Sequence, residues 1–316
     1  MKRTLLYTFV FLLFSIVTNA VTVPIDCNKP GAAGKIHTYL KLLNPLGPNT
    51  LKISGTCHEN IVIQSFDRLS LIAAPGAVLK DASGGQKPVI NITDSQRIYI
   101  QGFTISGGSS GVLCFDGSLC RFSGNTIERS TNAGVWVDDS QATFSGDVFQ
   151  DTGDPGLSIT ASNVFASGVT VQRSLGAGIY DADGSVLEAY QMNIQDNGGD
   201  GIAVLSQSHM ELGGSTVNNN AYNGIDVGFQ SEVLLPQNTV TTNGYDGVSI
   251  SDLSLADFFG GGTFTGNGAD IWCGGQYSVA GNIQAATYGT TNCPVPSAQA
   301  GASKRTAPLP RLIRPQ

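Results

Sequence analysis

Aspartates follow a repeated glycine-led phrase, and their spacing could support acid–base chemistry. Asp138 and Asp139 stand in GVWVDDS, Asp181 and Asp183 in GIYDADGS, and Asp226 in GIDVGFQS. Asp139 and Asp183 hold the same offset from the glycine two repeats apart, or about 9.6 Å if repeats stack as neighbouring strands. Leaning carboxyl groups could then reach the roughly 6.5–9.5 Å at which one acid protonates a leaving oxygen and one carboxylate activates water. Asp139 and Asp183 are therefore a candidate general acid and base.

Two aromatic residues occupy the outward position of the same phrase. Trp136 and Tyr180 lie two repeats apart, with only the small Ser158 between them. Exposed rings offer apolar faces against which sugar rings can stack, so these residues are candidates for substrate binding, together with Asp138 and Asp226. A structural explanation stays open, because single exposed aromatics are common on protein surfaces and aspartate is a common turn residue.

Asp181 interrupts the inward column of the phrase, whose other members are cysteine, valine and isoleucine. A buried carboxylate is costly unless it is paired or protonated. Either the strand bulges and turns Asp181 outward as a third candidate catalytic carboxyl, or Asp181 stays inside with a raised pKa. The segment Asp181-Ala182-Asp183-Gly184 could also donate oxygens to calcium. No other metal or cofactor is predicted, since no CxxC pair occurs.

The phrase itself predicts the fold. Its glycines recur at steps of 23, 22, 22, 23, 23 and 23 residues: Gly111, Gly134, Gly156, Gly178, Gly201, Gly224 and Gly247. A period of this size is typical of a solenoid. Each period holds three short apolar alternations of period two, which indicate three strands and no helix. We expect an all-β protein, a right-handed parallel β-helix of about ten coils with three short strands per coil.

Columns at one-coil spacing support this stacking. Polar residues five positions ahead of the first apolar residue predict a hydrogen-bonding ladder: Ser130, Thr152, Ser174, Asn197, Asn220 and Asn243. One position earlier, charges alternate in sign and predict an ion-pair ladder: Arg129, Asp151, Arg173 and Asp196. Upstream, apolar residues at helical spacing predict an amphipathic helix that caps the open end of the solenoid: Ile36, Tyr39, Leu40 and Leu43.

The two ends of the chain differ from the repeats. Residues 1–20 combine Lys2 and Arg3 with an apolar run and small residues, which predicts a cleaved secretory signal peptide. The β-helix domain is expected over residues 21–293. Residues 294–316 are rich in proline and basic residues, and we expect this tail to be disordered. The mature protein would be secreted, periplasmic or held at the cell surface, without a membrane span.

Six cysteines follow the predicted signal, and an oxidising compartment would favour disulfides among them. Their neighbourhoods in the sequence suggest three pairs, although fifteen pairings exist for six cysteines: Cys27 with Cys57, Cys114 with Cys120, and Cys273 with Cys293.

The chain has 17 basic and 24 acidic residues. Without Lys2 and Arg3 the net charge is 15 minus 24, or −9, which disfavours nucleic acid and anionic membranes as partners.

Together the three-strand coil, the Gly-apolar-x-apolar phrase, the asparagine-containing turn, the cap helix and the signal resemble the pectin-lyase-like superfamily, over about residues 27–293. The resemblance implies a face that acts on polysaccharides, but its activities range from lyases and hydrolases to epimerases and non-enzymatic surface proteins. GVWVDDS resembles the paired aspartates of polygalacturonases, whose Gly-His-Gly and Arg-Ile-Lys motifs are missing here. Pectate lyases use an arginine or lysine base, and mannuronan epimerases an Asp-Pro-His motif, whereas here Asp154-Pro155 is followed by Gly156.

These observations favour an exported protein whose solvent face binds or processes an extended polysaccharide. If it is an enzyme, hydrolysis is favoured over lyase or epimerase chemistry, because Arg121, Arg129 and Arg173 are the only arginines between Gly102 and Gly301 and no lysine lies there. The acidic surface favours neutral glycans or calcium-assisted binding. A non-catalytic structural or adhesive surface protein is the alternative.

Overall fold

A computed structural model describes residues 20–29, 35–275 and 278–294, and over this span the chain winds as a parallel β-helix of about ten coils. One coil shows the unit: after Gly134 the chain forms the strands Val135–Asp138, Gln141–Ser145 and Val148–Gln150. The next coil repeats this path 22 residues later, with Val135 beside Leu157. The predicted signal peptide and disordered tail lie outside the described residues, apart from their innermost residue.

The strands assemble into three parallel sheets. Sheet 1 is built from the strands of the repeated phrase and has ten members: Ile61–Gln64, Ile90–Thr93, Val112–Phe115, Val135–Asp138, Leu157–Thr160, Ile179–Ala182, Ile202–Val204, Ile225–Val227, Val248–Ile250 and Ile271–Cys273. Sheet 2 follows sheet 1 within each coil and has twelve members: Val21–Asp26, Asn49–Ser54, Leu69–Ala73, Ile98–Gln101, Leu119–Ser123, Gln141–Ser145, Asn163–Ser167, Val186–Tyr190, His209–Gly213, Glu232–Leu234, Leu255–Asp257 and Val279–Gly281.

Sheet 3 completes each coil and has eleven members: Thr56–His58, Val78–Lys80, Thr104–Ser106, Thr126–Glu128, Val148–Gln150, Thr170–Gln172, Asn193–Gln195, Thr216–Asn218, Asn238–Thr241, Gly262–Thr265 and Thr287–Tyr288. The helical elements in the described span are the α-helix Lys35–Leu42 and the short 3₁₀ helix Ile283–Ala285. Neither is long enough or apolar enough to cross a membrane. The prediction of three short strands per coil is confirmed.

Alternate residues of every strand point into one continuous core, because side chains alternate between faces along a strand. Most inward residues of sheet 1 are aliphatic and fully buried, among them Val135, Val137 and Ile159. Phenylalanines fill the corner between sheets 2 and 3, where the rings of Phe122 and Phe144 stack with centroids 5.0 Å apart. Burial of this apolar surface is the main stabilising contribution to the fold, at about 25 cal/mol per Å².

Buried polar ladders hold the turns in register. In the turn from sheet 3 to sheet 1, the Asn197 side-chain amide donates to Asn220 Oδ1 at 2.9 Å, and Asn220 donates to Asn243 Oδ1 at 3.0 Å. The predicted polar ladder is therefore confirmed from Thr152 to Asn243, since Thr152 Oγ1 donates to Ser174 Oγ and the Ser174 backbone N–H donates to Asn197 Oδ1, whereas Ser130 donates to the Asn132 backbone carbonyl. In the turn from sheet 1 to sheet 2, the serine that ends each phrase accepts a backbone N–H from the preceding coil, as Ser208 Oγ does from Ser185 at 3.2 Å. This second ladder was not predicted, and it explains why the phrase ends on serine.

The predicted ion-pair ladder forms at one step only. Arg173 Nε lies 2.7 Å from Asp151 Oδ1 on the preceding coil. Arg129 instead pairs with its sequence neighbour Glu128, at 3.1 Å, and Asp196 takes part in no salt bridge within the described span. The prediction is confirmed for Asp151 and Arg173 and wrong for Arg129, because Glu128, in sheet 3 beside the turn, offers Arg129 a carboxylate on its own coil.

The N-terminal cap helix and the three disulfide pairs are as predicted. Ile36 and Leu40 of the helix are buried against the first coils, and the Glu59 carboxylate accepts the Ile36 backbone N–H at the helix start. Such a carboxylate satisfies a free helical N–H and favours the positive end of the helix dipole. The three disulfides are the expected ones: Cys27–Cys57, Cys114–Cys120 and Cys273–Cys293.

Candidate functional site

Trp136 and Tyr180 lie in the same outward column of sheet 1, with Ser158 between them. The Trp136 side chain is 36% exposed, whereas Tyr180 is half-buried. Trp136 Nε1 donates to Thr160 Oγ1 at 3.1 Å, and this hydroxyl donates to Asp138 Oδ1 at 2.8 Å. Asp138 therefore orients the indole through Thr160. The structure brings these predicted binding residues together on one face.

Asp139 and Asp183 occupy the corner where sheet 1 turns into sheet 2. Both are exposed, and both have left-handed backbone conformations, with φ of 43° and 60°. Aspartate tolerates this conformation better than most residues, so the corner itself accounts for the residue type. Ala161 stands between them in the stack, so two coil steps, about 9.6 Å, separate their backbones. This agrees with the spacing expected from the sequence.

Asp181 lies inside the solenoid, between Ile159 and Val204 of the neighbouring coils. Its side chain is 0% exposed, and both carboxyl oxygens lack a hydrogen-bond partner among the described residues. Burial raises the pKa of Asp181 well above its usual value. The strand does not bulge, so Asp181 does not share the solvent face with Asp139 and Asp183. Because Asp181 points inward and Asp183 outward, these two carboxyls do not converge on one cation.

An open groove of about 970 Å³ runs beside sheet 1, along the stacked corners that lead into sheet 2. It extends from Asp183 to the coil of Trp272, four coil steps or roughly 19 Å. Three of its apolar side chains are well exposed, at 58% for Phe229, 55% for Leu253 and 36% for Trp272. Between them lie amides and carboxylates, including Gln230. The groove offers apolar faces and hydrogen-bonding groups along an extended path.

Of the groove residues, Asp183 was predicted as a site residue and the others were missed in the sequence, although a signal exists. The corner column holds aspartate or small residues in most coils but changes to Phe229 in GFQS. In the following coil Asp252 holds the position of Phe229, and Leu253, one residue later, is also left-handed, with a φ of 67°. Large apolar residues in left-handed corner positions are conformationally unfavourable, so their presence there points to a role at the surface. At the far end, Gly274 leaves room for the Trp272 indole, which a Cβ at position 274 would overlap.

A group of half-buried carboxyls, Asp200, Asp226 and Asp246, lies on sheet 1 and in the turn that leads into it from sheet 3. Burial raises the pKa of Asp226. A hydrogen bond from the Ser249 side chain lowers this pKa, and the negative charges of Asp252 and Asp246 raise it further. Burial and the Asp226 charge also raise the pKa of Asp200. Asp200 and Asp246 each accept a backbone N–H from the following coil, at 2.9 and 3.2 Å, and so they stabilise the turn. Asp226, the predicted binding residue, lies between this turn and the groove.

Two exposed tyrosines stand in the same turn as Asp200 and Asp246. The rings of Tyr222 and Tyr245 are stacked, with centroids 5.3 Å apart and planes 5° apart. The two tyrosines lie 23 residues apart, on adjacent coils, and the sequence analysis did not predict their stacking.

Near the N-terminal cap, Cys27, Cys57 and Glu59 have the ligand types of a metal site. The two cysteines form a disulfide, however, and so they cannot bind metal as thiolates.

The model of the family described as "Right handed beta helix region" matches residues 50–186 and 111–283. No curated protein sequence matches the chain. Among solved structures, the A-module of mannuronan C-5 epimerase AlgE4 from Azotobacter vinelandii has a TM-score of 0.60 at 13% identity, over 71% of this chain and 72% of that chain. Pectate lyase Pel9A has a TM-score of 0.57 at 12% identity, over 90% and 83%.

Full-length tailspike protein 2 from an Escherichia coli O157:H7 bacteriophage has a TM-score of 0.63 at 11% identity. The match covers 83% of this chain but only 39% of the tailspike chain. At such identities the structural likeness shows the fold and leaves the chemistry open. The matched family model spans most of the chain, and the coils, columns and ladders agree with it. The chain therefore belongs to the family of right-handed parallel β-helix proteins that this model describes.

Proposed function

We propose that this protein is exported and binds an extended polysaccharide on the solvent face of sheet 1, with the groove along the corners as the main binding site. The observation that carries this proposal is the row of exposed apolar side chains, Phe229, Leu253 and Trp272, in a groove that also holds amides and carboxylates. Aromatic rings stack on the apolar faces of sugars, and the polar groups can hydrogen-bond sugar hydroxyls.

The shape of the groove favours a chain-like ligand. It is open along its length, and its walls repeat at each coil because the corners stack: the Gln207 backbone N–H donates to Phe229 O, and Gln230 donates to Asp252 O. Gln207 Nε2 also donates to Gln230 Oε1 at 3.3 Å. A repeating wall suits a repeating polymer. The similar structures named for mannuronan epimerase and pectate lyase activity agree with a polysaccharide ligand, and three disulfides agree with export.

Hydrolysis is a second, more specific candidate function. It is supported by the exposed pair Asp139 and Asp183, two coils apart, beside Trp136 and Tyr180. One carboxyl would protonate the leaving oxygen while the other activates water, and the two aromatic residues would hold sugar rings. Without this chemistry the same face serves a binding or adhesive protein.

Binding is tested with the full chain and a panel of neutral and charged oligosaccharides. Phe229→Ala should weaken binding of the best ligand severalfold, whereas Phe259→Ala should not. Phe259 is also an exposed phenylalanine, but it lies in the turn between sheets 2 and 3, away from the groove. Equal effects of the two substitutions, or binding of no oligosaccharide, would reject the groove as a glycan site.

Catalysis is tested by incubating the same panel with and without calcium and scoring new reducing ends and unsaturated products. New reducing ends that Asp139→Asn and Asp183→Asn each abolish would support hydrolysis. Unsaturated products would indicate a lyase, and full activity of both variants would end the assignment of these carboxyls.

A further inference from the structure

The C-terminal half of the solenoid is unusually acidic. Between residues 174 and 303 the sequence contains no lysine and no arginine. The same stretch contains twelve acidic residues: Asp181, Asp183, Glu188, Asp196, Asp200, Glu211, Asp226, Glu232, Asp246, Asp252, Asp257 and Asp270. All the residues that line the groove, from Asp183 to Gly275, lie in this stretch. A ligand in the groove therefore meets negative potential without compensating cations.

Carboxylates lie along the path that a bound chain would follow. Asp183 and Asp252 line the groove itself, at positions three corners apart. Asp226 lies on the adjacent face of sheet 1, close enough to Asp252 for the two charges to interact. These carboxyls stand beside the exposed Phe229 and Trp272 side chains. The groove thus combines surfaces for ring stacking with spaced anionic hydrogen-bond acceptors.

We infer that the polysaccharide bound in this groove carries positively charged amino groups, as an oligomer of amino sugars with free amines does. This inference rests on the proposed function. An ammonium group on the sugar can donate hydrogen bonds to Asp183, Asp226 and Asp252, while the sugar rings stack on the apolar side chains. A polyanionic glycan would place like charges side by side, and a neutral glycan would leave the carboxylates unpaired.

The test compares two oligomers of the same length, one of glucosamine with free amines and one in which each amine is acetylated and therefore uncharged. Binding to the full chain is measured by calorimetry at low and high salt. The free-amine oligomer should bind more tightly, and its advantage should shrink at high salt, because salt screens exposed charge pairs. Asp252→Asn should reduce the ratio of the two affinities by up to about fivefold, the equivalent of an exposed ion pair of about 1 kcal/mol.

Asp196→Asn is the matched control. Asp196 is exposed and left-handed like Asp252, with φ of 57° against 50°, but it lies in the turn between sheets 3 and 1 and does not line the groove. Asparagine tolerates this conformation, so both variants should fold. The control should leave the affinity ratio unchanged.

The outcomes separate this inference from the proposed function. Equal binding of both oligomers would overturn the inference and leave glycan binding standing. Binding of neither, nor of any oligosaccharide in the panel, would overturn both. Binding of a polyuronate that requires calcium would replace the amine with a bridging cation.

Discussion

Replacing Asp181 with leucine should stabilise the protein, most strongly at neutral and higher pH. Asp181 is fully buried between Ile159 and Val204, and its carboxyl oxygens find no partner in the described part of the chain. An unpaired hydrogen-bonding group in an apolar environment costs about 1–3 kcal/mol in protein mutational data. Leucine has a similar shape and no polar atoms, so Asp181→Leu should raise the free energy of unfolding by about this amount.

The effect should depend on pH, because burial raises the pKa of Asp181 well above its usual value near 3.9. The folded state then holds the proton more tightly than the unfolded state. The wild-type protein is unaffected below the unfolded pKa, loses stability as pH rises from there to the folded pKa, and stays at the lower value above it. The advantage of Asp181→Leu should therefore grow with pH over this window.

Urea unfolding at a series of pH values measures this advantage, since the midpoint difference multiplied by the slope gives the change in free energy. Asp147→Leu is the matched control. Asp147 is equally buried, and its pKa is raised to about 6, but it accepts hydrogen bonds from the backbone and side-chain nitrogens of Asn125 and from the Ser145 backbone. Its removal leaves these buried N–H donors without an acceptor and should lower the free energy of unfolding by about 1–3 kcal/mol. A destabilising Asp181→Leu, or a pH-independent effect, would refute the reasoning.

Three further predictions concern the ladder, the groove and the N-terminal cap. Asn220→Ala removes both an acceptor and a donor from the asparagine ladder and should lower the free energy of unfolding by about 1–3 kcal/mol; an unchanged urea midpoint would contradict it. Gly274→Ala should displace the Trp272 indole and weaken glycan binding without changing the unfolding midpoint in urea; unaltered affinity would show that the indole is not needed there. Replacing Cys27 and Cys57 with serine opens a 30-residue loop and should cost about 2–4 kcal/mol; equal thermal unfolding with and without this disulfide would contradict the estimate.

The sequence predicts most of the fold because stacking converts a linear period into contacts. A period of 22 or 23 residues places Trp136 beside Ser158 and Asn197 beside Asn220, so one offset predicts whole columns. The disulfides follow the same logic, since each joins cysteines that are near in sequence or one coil apart. The cap helix was predicted from its apolar spacing, and Ile36 and Leu40 are buried as expected.

The groove could not be predicted with the same ease, because it depends on how corners protrude rather than on the period. Phe229 and Leu253 hold corner positions that look irregular in the sequence, and only the folded chain brings them into line with Trp272. Asp181 illustrates the same limit. The sequence pattern was compatible with a bulged strand and with a buried carboxyl, and in the structure the strand is regular and the carboxyl is buried. Arg129 shows that a column of alternating charges does not exclude a nearer partner.

The central claim is tested most directly with the two tryptophans, which are the only ones in the sequence and which both lie on the outer face of sheet 1. Trp136→Phe and Trp272→Phe each leave one fluorescent reporter, at Trp272 in the groove and at Trp136 outside it. Titration with the best-binding oligosaccharide should change the emission of Trp272 in the first variant, at the concentration where calorimetry shows binding. Emission that stays constant at Trp272 while the oligosaccharide binds would contradict the account.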